Sequence, residues 1–477
     1  MIDMESGKGK SKPIFWRLRP AERQVILLIG DLLVGFLALA ISIVIWSRED
    51  WLRLSFSFLT ERTPTWFFLA PFIWMLLTIE LYDVRRASRR SETLKGVAIA
   101  AGVSLGLYLL IYFTSEPNSL PRRGVSVFIL AVSLLILLWR FIYIRVFTAP
   151  VFMRRVLVIG AGRAGENLVQ VIDSIWPLPF YLVGLIDDDP AKQNMKYGNH
   201  PVLGSSQQLL EIIERERITD LVFAISGEMN PAMFQAVLMA EERGVEVTTM
   251  PLVYEELLGR VPILLLQSDW ILRSFVDQAH TNNFFEMAKR LMDIIGGLIG
   301  CIGLALLYPI IAVLILLDDG APVLYSQERL GKNGKPYQII KFRTMVKDAE
   351  KDGKARVAVK NDSRVTRIGR LLRKSHLDEL PQFWSVLRGE MSMVGPRAER
   401  VELVNSLQTK VPFYRARLFV KPGLTGWAQV NYGYAETVED TIVKLEYDLY
   451  YIKHRNLMLD LLIIFRTAGT VFGLRGQ

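Results

Sequence analysis

The chain has 477 residues, enough for about three domains at ordinary domain size. Apolar residues make up 51 % even before the 34 Gly are added, and mean hydropathy is +0.27, which excludes a disordered chain and argues against an ordinary soluble enzyme. The 57 Lys+Arg outnumber the 48 Asp+Glu by 9, a modest basicity suited to a membrane surface, an anionic substrate or nucleic acid. The single Cys, Cys301, excludes an intrachain disulfide and a Cys-based zinc site, and with four His a His-rich metal centre is not expected.

Four apolar runs come first, at 25–46, 63–79, 96–114 and 124–144. Each is close to the ~20 residues that cross a bilayer, so 1–146 reads as a four-helix transmembrane bundle. The charges inside the runs are Asp31 and Arg140, the second near enough to a helix end to snorkel. Lys8, Lys10, Lys12, Arg17, Arg19 and Arg23 precede the first run, and Arg85, Arg86, Arg89, Arg90 and Lys95 separate the second from the third. The other two loops carry fewer: Arg48, Arg53 and Arg62, then Arg122 and Arg123. The positive-inside tendency therefore puts both ends of the bundle, and the chain from 146 to 285, in the cytoplasm.

Residues 147–284 read as a Rossmann-like domain and linker. A buried strand at 155–160 runs into Gly160-Ala-Gly162-Arg-Ala-Gly165 and a helical pattern, and a second strand ends at Asp187-Asp188-Asp189. Glycines at a strand–helix turn with an acid some way on form a dinucleotide fingerprint, with Asp187 placed for a ribose hydroxyl of an NAD-like nucleotide. The same glycines also permit a tight turn without ligand, and both readings stay open.

A fifth apolar run, 291–317, holds one charge, Asp293, and Pro309 in its second half. Length alone makes it a span. Between residues 321 and 377, however, stand 15 Lys/Arg against 5 Asp/Glu, a block that would lie outside if the segment crossed. A helix that enters, bends at Tyr308-Pro309 and returns fits both facts.

In the basic block, Gln327-Glu-Arg329, Lys341-Phe-Arg343-Thr-Met345 and the Arg/Lys series 364–374 suit polyanions. Leu377-Asp378-Glu379-Leu380-Pro381-Gln382 follows, with two adjacent carboxylates. On a helix they point about 100° apart, so one is free to attack phosphorus while the other holds a hard cation. Gly389-Glu-Met-Ser392, Val394-Gly-Pro-Arg397 and Lys421-Pro-Gly-Leu-Thr-Gly-Trp427 complete the set. Phe383, Trp384, Trp427, Tyr432, Tyr434, Tyr447, Tyr450 and Tyr451 are aromatics suited to a membrane interface or to a core. The stretches 440–454 and 459–474 look amphipathic or apolar, fit to lie on a bilayer.

With these motifs, 285–477 resembles the bacterial sugar transferase family, the polyprenyl-phosphate hexose-1-phosphate (monotopic phosphoglycosyl) transferases. The four spans and the Rossmann-like domain resemble its large members. The resemblance implies a membrane protein of α plus α/β class: bundle, Rossmann-like domain, and a mostly α monotopic catalytic domain with a re-entrant helix. It implies a bacterial inner-membrane enzyme, catalytic domain cytoplasmic, that initiates surface polysaccharide synthesis. Asp378 would attack a UDP-sugar and release UMP, and undecaprenyl phosphate would then take the sugar phosphate. Glu379 would hold Mg²⁺, and Lys341, Arg343, Arg373, Arg397 and Arg329 would contact phosphates. A homodimer is expected and a nucleic acid partner is not. The sequence departs from the family pattern at Ala398, His376 and Ser385. Two rivals remain at this stage: a tethered nucleotide-sugar dehydratase or epimerase, to which Tyr337-Gln-Ile-Ile-Lys341 is a chance match, and an inert nucleotide-sensing scaffold.

Overall fold

The computed structural model describes residues 20–48, 50–82, 84–114, 122–147, 153–175, 180–225, 229–265, 283–347, 362–433 and 437–472. Lys8, Lys10, Lys12, Arg17, Arg19, Tyr434 and the 348–361 part of the basic block lie outside them. The chain forms two compact units, Met1–Thr248 and Thr249–Gln477. The segment 249–265, expected within the Rossmann-like domain and linker, thus falls with the C-terminal unit.

In the first unit, α1 (Pro20–Ser47), α2 (Ala70–Leu77), α3 (Arg90–Thr114) and α4 (Arg122–Phe147) make the apolar bundle. Its core joins Leu39, Phe58, Phe67, Trp74, Val97, Val132 and Ile136. By length and composition α1, α3 and α4 are long and apolar enough to cross a membrane. The second run is not a helix of that length. Pro64 is extended, a 3₁₀ turn follows at Thr65–Leu69, and α2 adds eight residues before the chain leaves helical geometry at Thr78. Together these rise roughly 22 Å, short of the ~30 Å apolar thickness of a bilayer.

Arg140 does not snorkel. It is fully buried and donates to Asp31 Oδ2 at 2.5 Å and to the Leu81 carbonyl at 2.8 Å. An arginine with a carboxylate within reach inside the bundle is better neutralised there than by stretching to the headgroups.

The second half of this unit is the nucleotide-type fold. β1 (Arg155–Ile159), β2 (Tyr181–Ile186), β3 (Lys196–Tyr197), β4 (His200–Pro201), β5 (Asp220–Phe223) and β6 (Glu246–Thr249) alternate with α5 (Arg163–Ser174), α6 (Leu209–Glu216) and α7 (Pro231–Glu242). Four strands form one sheet in the order β2-β1-β5-β6, with β1 parallel to both neighbours. The runs Val156–Ile159 and Leu221–Val222 are fully buried, as expected of a parallel sheet covered on both faces.

The second unit begins with α8 (Met250–Leu258) and then α9 (Asn283–Asp319), which is α-helical throughout its 37 residues, Pro309 included. The expected bend at Tyr308-Pro309 is therefore no exit from the helix. One face of α9 is buried at Lys289, Asp293, Gly297, Gly300, Ile311 and Ile315, steps of three, four or seven plus four that follow the helical period. The opposite face is exposed and apolar, with Ile299, Ile302, Leu306, Ile310 and Leu317 among it. The hairpin β7 (Leu324–Leu330) with β8 (Pro336–Phe342) precedes α10 (Arg367–Lys374) and α11 (Gln382–Arg388). β9 (Ser392–Val394) pairs in parallel with β10 (Gly423–Thr425), and α12 (Val438–His454) and α13 (Leu457–Phe472) close the core. Trp427, Tyr451, Leu445, Leu449 and Ile463 are buried in that core, with Tyr447 and Tyr450 packed against it, so these aromatics are core residues; Trp384 alone of the tryptophans named is half exposed.

Candidate active site

The carboxylate pair sits on a turn that local chemistry enforces. Thr366 caps α10 by accepting from Gly369 N at 3.0 Å, and Gly369 is pressed so close to the Thr344 carbonyl that a Cβ would lie 2.1 Å from it. α10 ends at Ser375. His376 then takes a left-handed conformation, φ +56°, a geometry that His tolerates better than most residues. The chain turns into a 3₁₀ turn at Leu377–Glu379, and Pro381 opens α11. His376 is exposed and makes the turn, which accounts for it without a role in tuning the carboxylates.

The turn presents the two acids to different surroundings. Glu379 Oε1 accepts from Lys341 Nζ at 2.5 Å and from an Arg397 NH₂ at 2.7 Å. Burial alone would raise its pKa, but Arg397 and Lys341 outweigh it and hold Glu379 well below the usual carboxylate range. Asp378 is 8 % exposed, and no hydrogen bond or ion pair is directed at its carboxylate among the described residues. Burial first, and then the Glu379 charge, push its pKa up, while Lys341, Arg373 and Arg397 pull it back. One acid is locked as an anion and its neighbour is unencumbered beside three cations.

Of the expected phosphate contacts, Lys341 from β8, Arg397 from the loop after β9 and Arg373 from the last turn of α10 converge on the pair. Arg373 is steered by its Nε bond to Thr344 Oγ1 at 2.9 Å. Arg343 does not join them. It is buried and donates to the carbonyls of Asp319 and Gly320, at 3.1 and 2.5 Å, where it satisfies the open C-terminus of α9. Arg329 reaches Gln327 Oε1 and the Ala398 carbonyl, so it props the Arg397 loop instead of facing the carboxylates. Tyr337 and Lys341 lie four residues apart on β8, about 13 Å by strand rise, too far for one proton relay.

Two features were not visible in sequence. Asp293, the lone charge of the fifth apolar run, accepts from Ser392 Oγ and Met393 N, both at 2.8 Å, and so ties α9 to β9. Arg417, with Asp448, lies under the Arg397 loop and meets Glu399 within it. The charge inside an apolar stretch was the one signal for the first; nothing in local sequence pointed to the second.

In the Rossmann-like fold, Gly160 has φ +103° and faces the Ala224 carbonyl, while a Cβ on Gly165 would lie 2.0 Å from Gly160 O. Both glycines are thus demanded by helix–strand packing. Nothing lies within 4 Å of a Cβ on Gly162. Asp187 accepts from Ala161 N at 2.7 Å, from Asp189 N at 2.9 Å and from Lys192 at 3.1 Å. The acid expected to meet a ribose holds the glycine turn itself.

A family model described as bacterial sugar transferase matches residues 284–474, and one described as CoA-binding domain matches 78–251. The chain is 32 % identical to the UDP-glucose:undecaprenyl-phosphate glucose-1-phosphate transferase of Escherichia coli (strain K12), over 66 % of this chain and 67 % of that one. This chain belongs to the bacterial sugar transferase family. Within the family it is 42 % identical to the UDP-N-acetylgalactosamine-undecaprenyl-phosphate N-acetylgalactosaminephosphotransferase of Aeromonas hydrophila, over 42 % of this chain and 50 % of that one. It is 34 % identical to the UDP-glucose:undecaprenyl-phosphate glucose-1-phosphate transferase of Xanthomonas campestris pv. campestris, over 57 % of each. The matched region thus spans between about half and two thirds of these relatives. Asp378, Glu379, Lys341, Arg373 and Arg397 all fall within the sugar transferase match.

Proposed function

We propose that this protein is a polyprenyl-phosphate hexose-1-phosphate transferase. It moves sugar-1-phosphate from a UDP-sugar to undecaprenyl phosphate at the cytoplasmic face of a bacterial inner membrane, as the first membrane step of a surface polysaccharide. The observation that carries the reading is the division of labour at 378–379: an unpartnered carboxylate beside one clamped by Lys341 and Arg397.

An Asp378 carboxylate oxygen attacks the sugar-bearing phosphorus, the bond to the bridging oxygen breaks, and UMP leaves with that oxygen. A phosphate oxygen of the lipid then attacks the same phosphorus and returns Asp378 as a free carboxylate. Lys341, Arg373 and Arg397 offset the repulsion between aspartate and diphosphate and stabilise charge on the leaving group. Among the described residues no three acidic, His or Cys side chains gather as a metal cage. One carboxylate completed by substrate phosphates is nevertheless a usual way to hold Mg²⁺, so Glu379 fits that ion while Asp378 stays free to attack. When bound there it would neutralise diphosphate charge.

The re-entrant reading of α9 draws support from both of its ends. Near its start Lys289 donates to the Val394 carbonyl and Arg290 to the carbonyls of Val386 and Leu387. At its other end Asp318 accepts from Ile368 N, and Arg343 holds the last carbonyls. A helix hydrogen-bonded at each end to one unit is suited to lie at one face of a bilayer, exposed apolar side toward lipid. A dimer is in keeping with the large members of the family. For the middle domain we favour a structural or regulatory role over a bound NAD-like nucleotide, because Asp187 is engaged and packing explains two of the three glycines.

The test is UMP release from solubilised protein with undecaprenyl phosphate, Mg²⁺ and a panel of UDP-sugars, beside Asp378→Asn. Release lost in that variant is the expected result; no release from any UDP-sugar by well-folded protein overturns the reading.

A further inference from the structure

The loop at 395–399 carries Arg397 with little regular structure of its own, so its shape is set by what its carbonyls meet. Val394 O, just before it, accepts from Lys289 and from the Tyr451 hydroxyl, each at 3.1 Å. Pro396 O accepts from Gly423 N at 2.9 Å. Arg397 O accepts from an Arg417 NH₂ at 3.1 Å. Arg417 grips the carbonyl of Arg397, while Gly423, bridged to Arg397, holds the peptide on its other side, so Arg397 is held from both flanks.

Arg417 is 4 % exposed, and its fork is fixed at every branch. One terminal nitrogen also donates to Asp448 Oδ2 at 2.8 Å; the other donates to the Tyr414 hydroxyl at 2.8 Å and lies 3.3 Å from Glu399 Oε1. Asp448 is 2 % exposed on α12, and Glu399 is held in turn by Lys444 at 2.9 Å. A planar guanidinium with three of its four terminal hydrogens directed at Asp448, Tyr414 and Glu399 presents the fourth in one direction; a lysine ammonium on a flexible stem would not.

We propose that Arg417, oriented by Asp448, is a positioning residue for the transfer reaction: it anchors the Arg397 peptide so that the Arg397 guanidinium meets the donor diphosphate beside Glu379. This rests on the function proposed above. Its leverage comes from geometry, since the Arg397 side chain is 40 % exposed and extends from a loop, and its reach is fixed by its backbone.

The experiment is single-turnover UMP release from the full chain, with Arg417→Lys made in the wild type and in Arg397→Lys. Sampling runs long enough to quantify slow variants. Arg417→Lys slows the wild type by about 10–100-fold, the scale of a misplaced clamp, with a much smaller change in KM for the UDP-sugar. In Arg397→Lys the same change costs less than about threefold, because the group it positions is already altered. The pair Arg417→Gln with Asp448→Asn leaves no orphaned charge and guards against simple unfolding: it melts near the wild type yet is slow. Equal losses in both backgrounds, or full rate in either Arg417 variant, overturn the anchoring role. A wild type that releases no UMP overturns the transfer reading itself.

Discussion

Glu379 and Arg397 lie 18 residues apart in sequence and 2.7 Å apart in space, and the oxygen they share is the one that Lys341 also holds. The pair separates two adjacent carboxylates into a fixed anion and a free one. Replacing Asp378 by Asn therefore abolishes turnover while the protein remains folded and in the membrane. Glu379→Gln keeps the nucleophile but loses the anion that orders both cations, and its rate falls by about 10²–10³. UMP release by the two variants, with melting curves as control, checks both.

The pH profile follows from the same asymmetry. Asp378 must be ionised to attack, and burial and Glu379 place its pKa above the ordinary aspartate value. The acid limb of UMP release thus lies above pH 3.8 and moves further up in Arg373→Gln, where a cation that lowers that pKa is gone. An acid limb unmoved by that substitution would sink the assignment.

Glu399 gives a stability prediction of definite sign. Burial raises its pKa, but Lys444 and Arg417 overcome it and bring it to about 2, from the ordinary glutamate value of 4.5. A depressed carboxylate stabilises the fold fully above its unfolded pKa and loses that contribution as pH falls toward the folded one. Melting of the solubilised protein drops between pH 4.5 and about 2, and Glu399→Gln flattens that part of the curve.

Helix α9 supplies its own control. A Cβ on Gly300 would lie 2.1 Å from the Phe383 ring, whereas one on Gly303 meets nothing within 4 Å. Gly300→Ala costs about 1–3 kcal/mol by forcing α9 away from α11 and slows transfer; Gly303→Ala leaves both unchanged. Equal behaviour of the two in melting and UMP release would refute the packing argument.

In the bundle, Arg140→Ala or Asp31→Ala alone leaves a buried charge without its partner and destabilises by about 3–5 kcal/mol, while replacing both with apolar residues costs far less. Thermal unfolding in detergent reads the difference.

Much of this protein was legible in its residues. Three of the four N-terminal apolar runs announce helices of membrane length, because charged side chains are costly in a bilayer core. The glycine turn after 155–160 announces a parallel α/β domain because only glycine fits φ +103° against a neighbouring strand. The motifs from Gln327 to Trp427 named the family and the acid pair. What the residues did not announce were partnerships across long sequence distance. Arg140 is paired with Asp31, 109 residues away, so its charge is spent inside the bundle. Arg343 looks like every other cation of the basic block, yet α9 ends beside it and claims its donors. Asp187 has the spacing of a ribose acid, yet Ala161 N reaches it first. Composition and spacing state what a side chain is capable of binding. Only the tertiary fold decides which competing partner is nearest, and a group satisfied inside the fold has less left to offer a ligand.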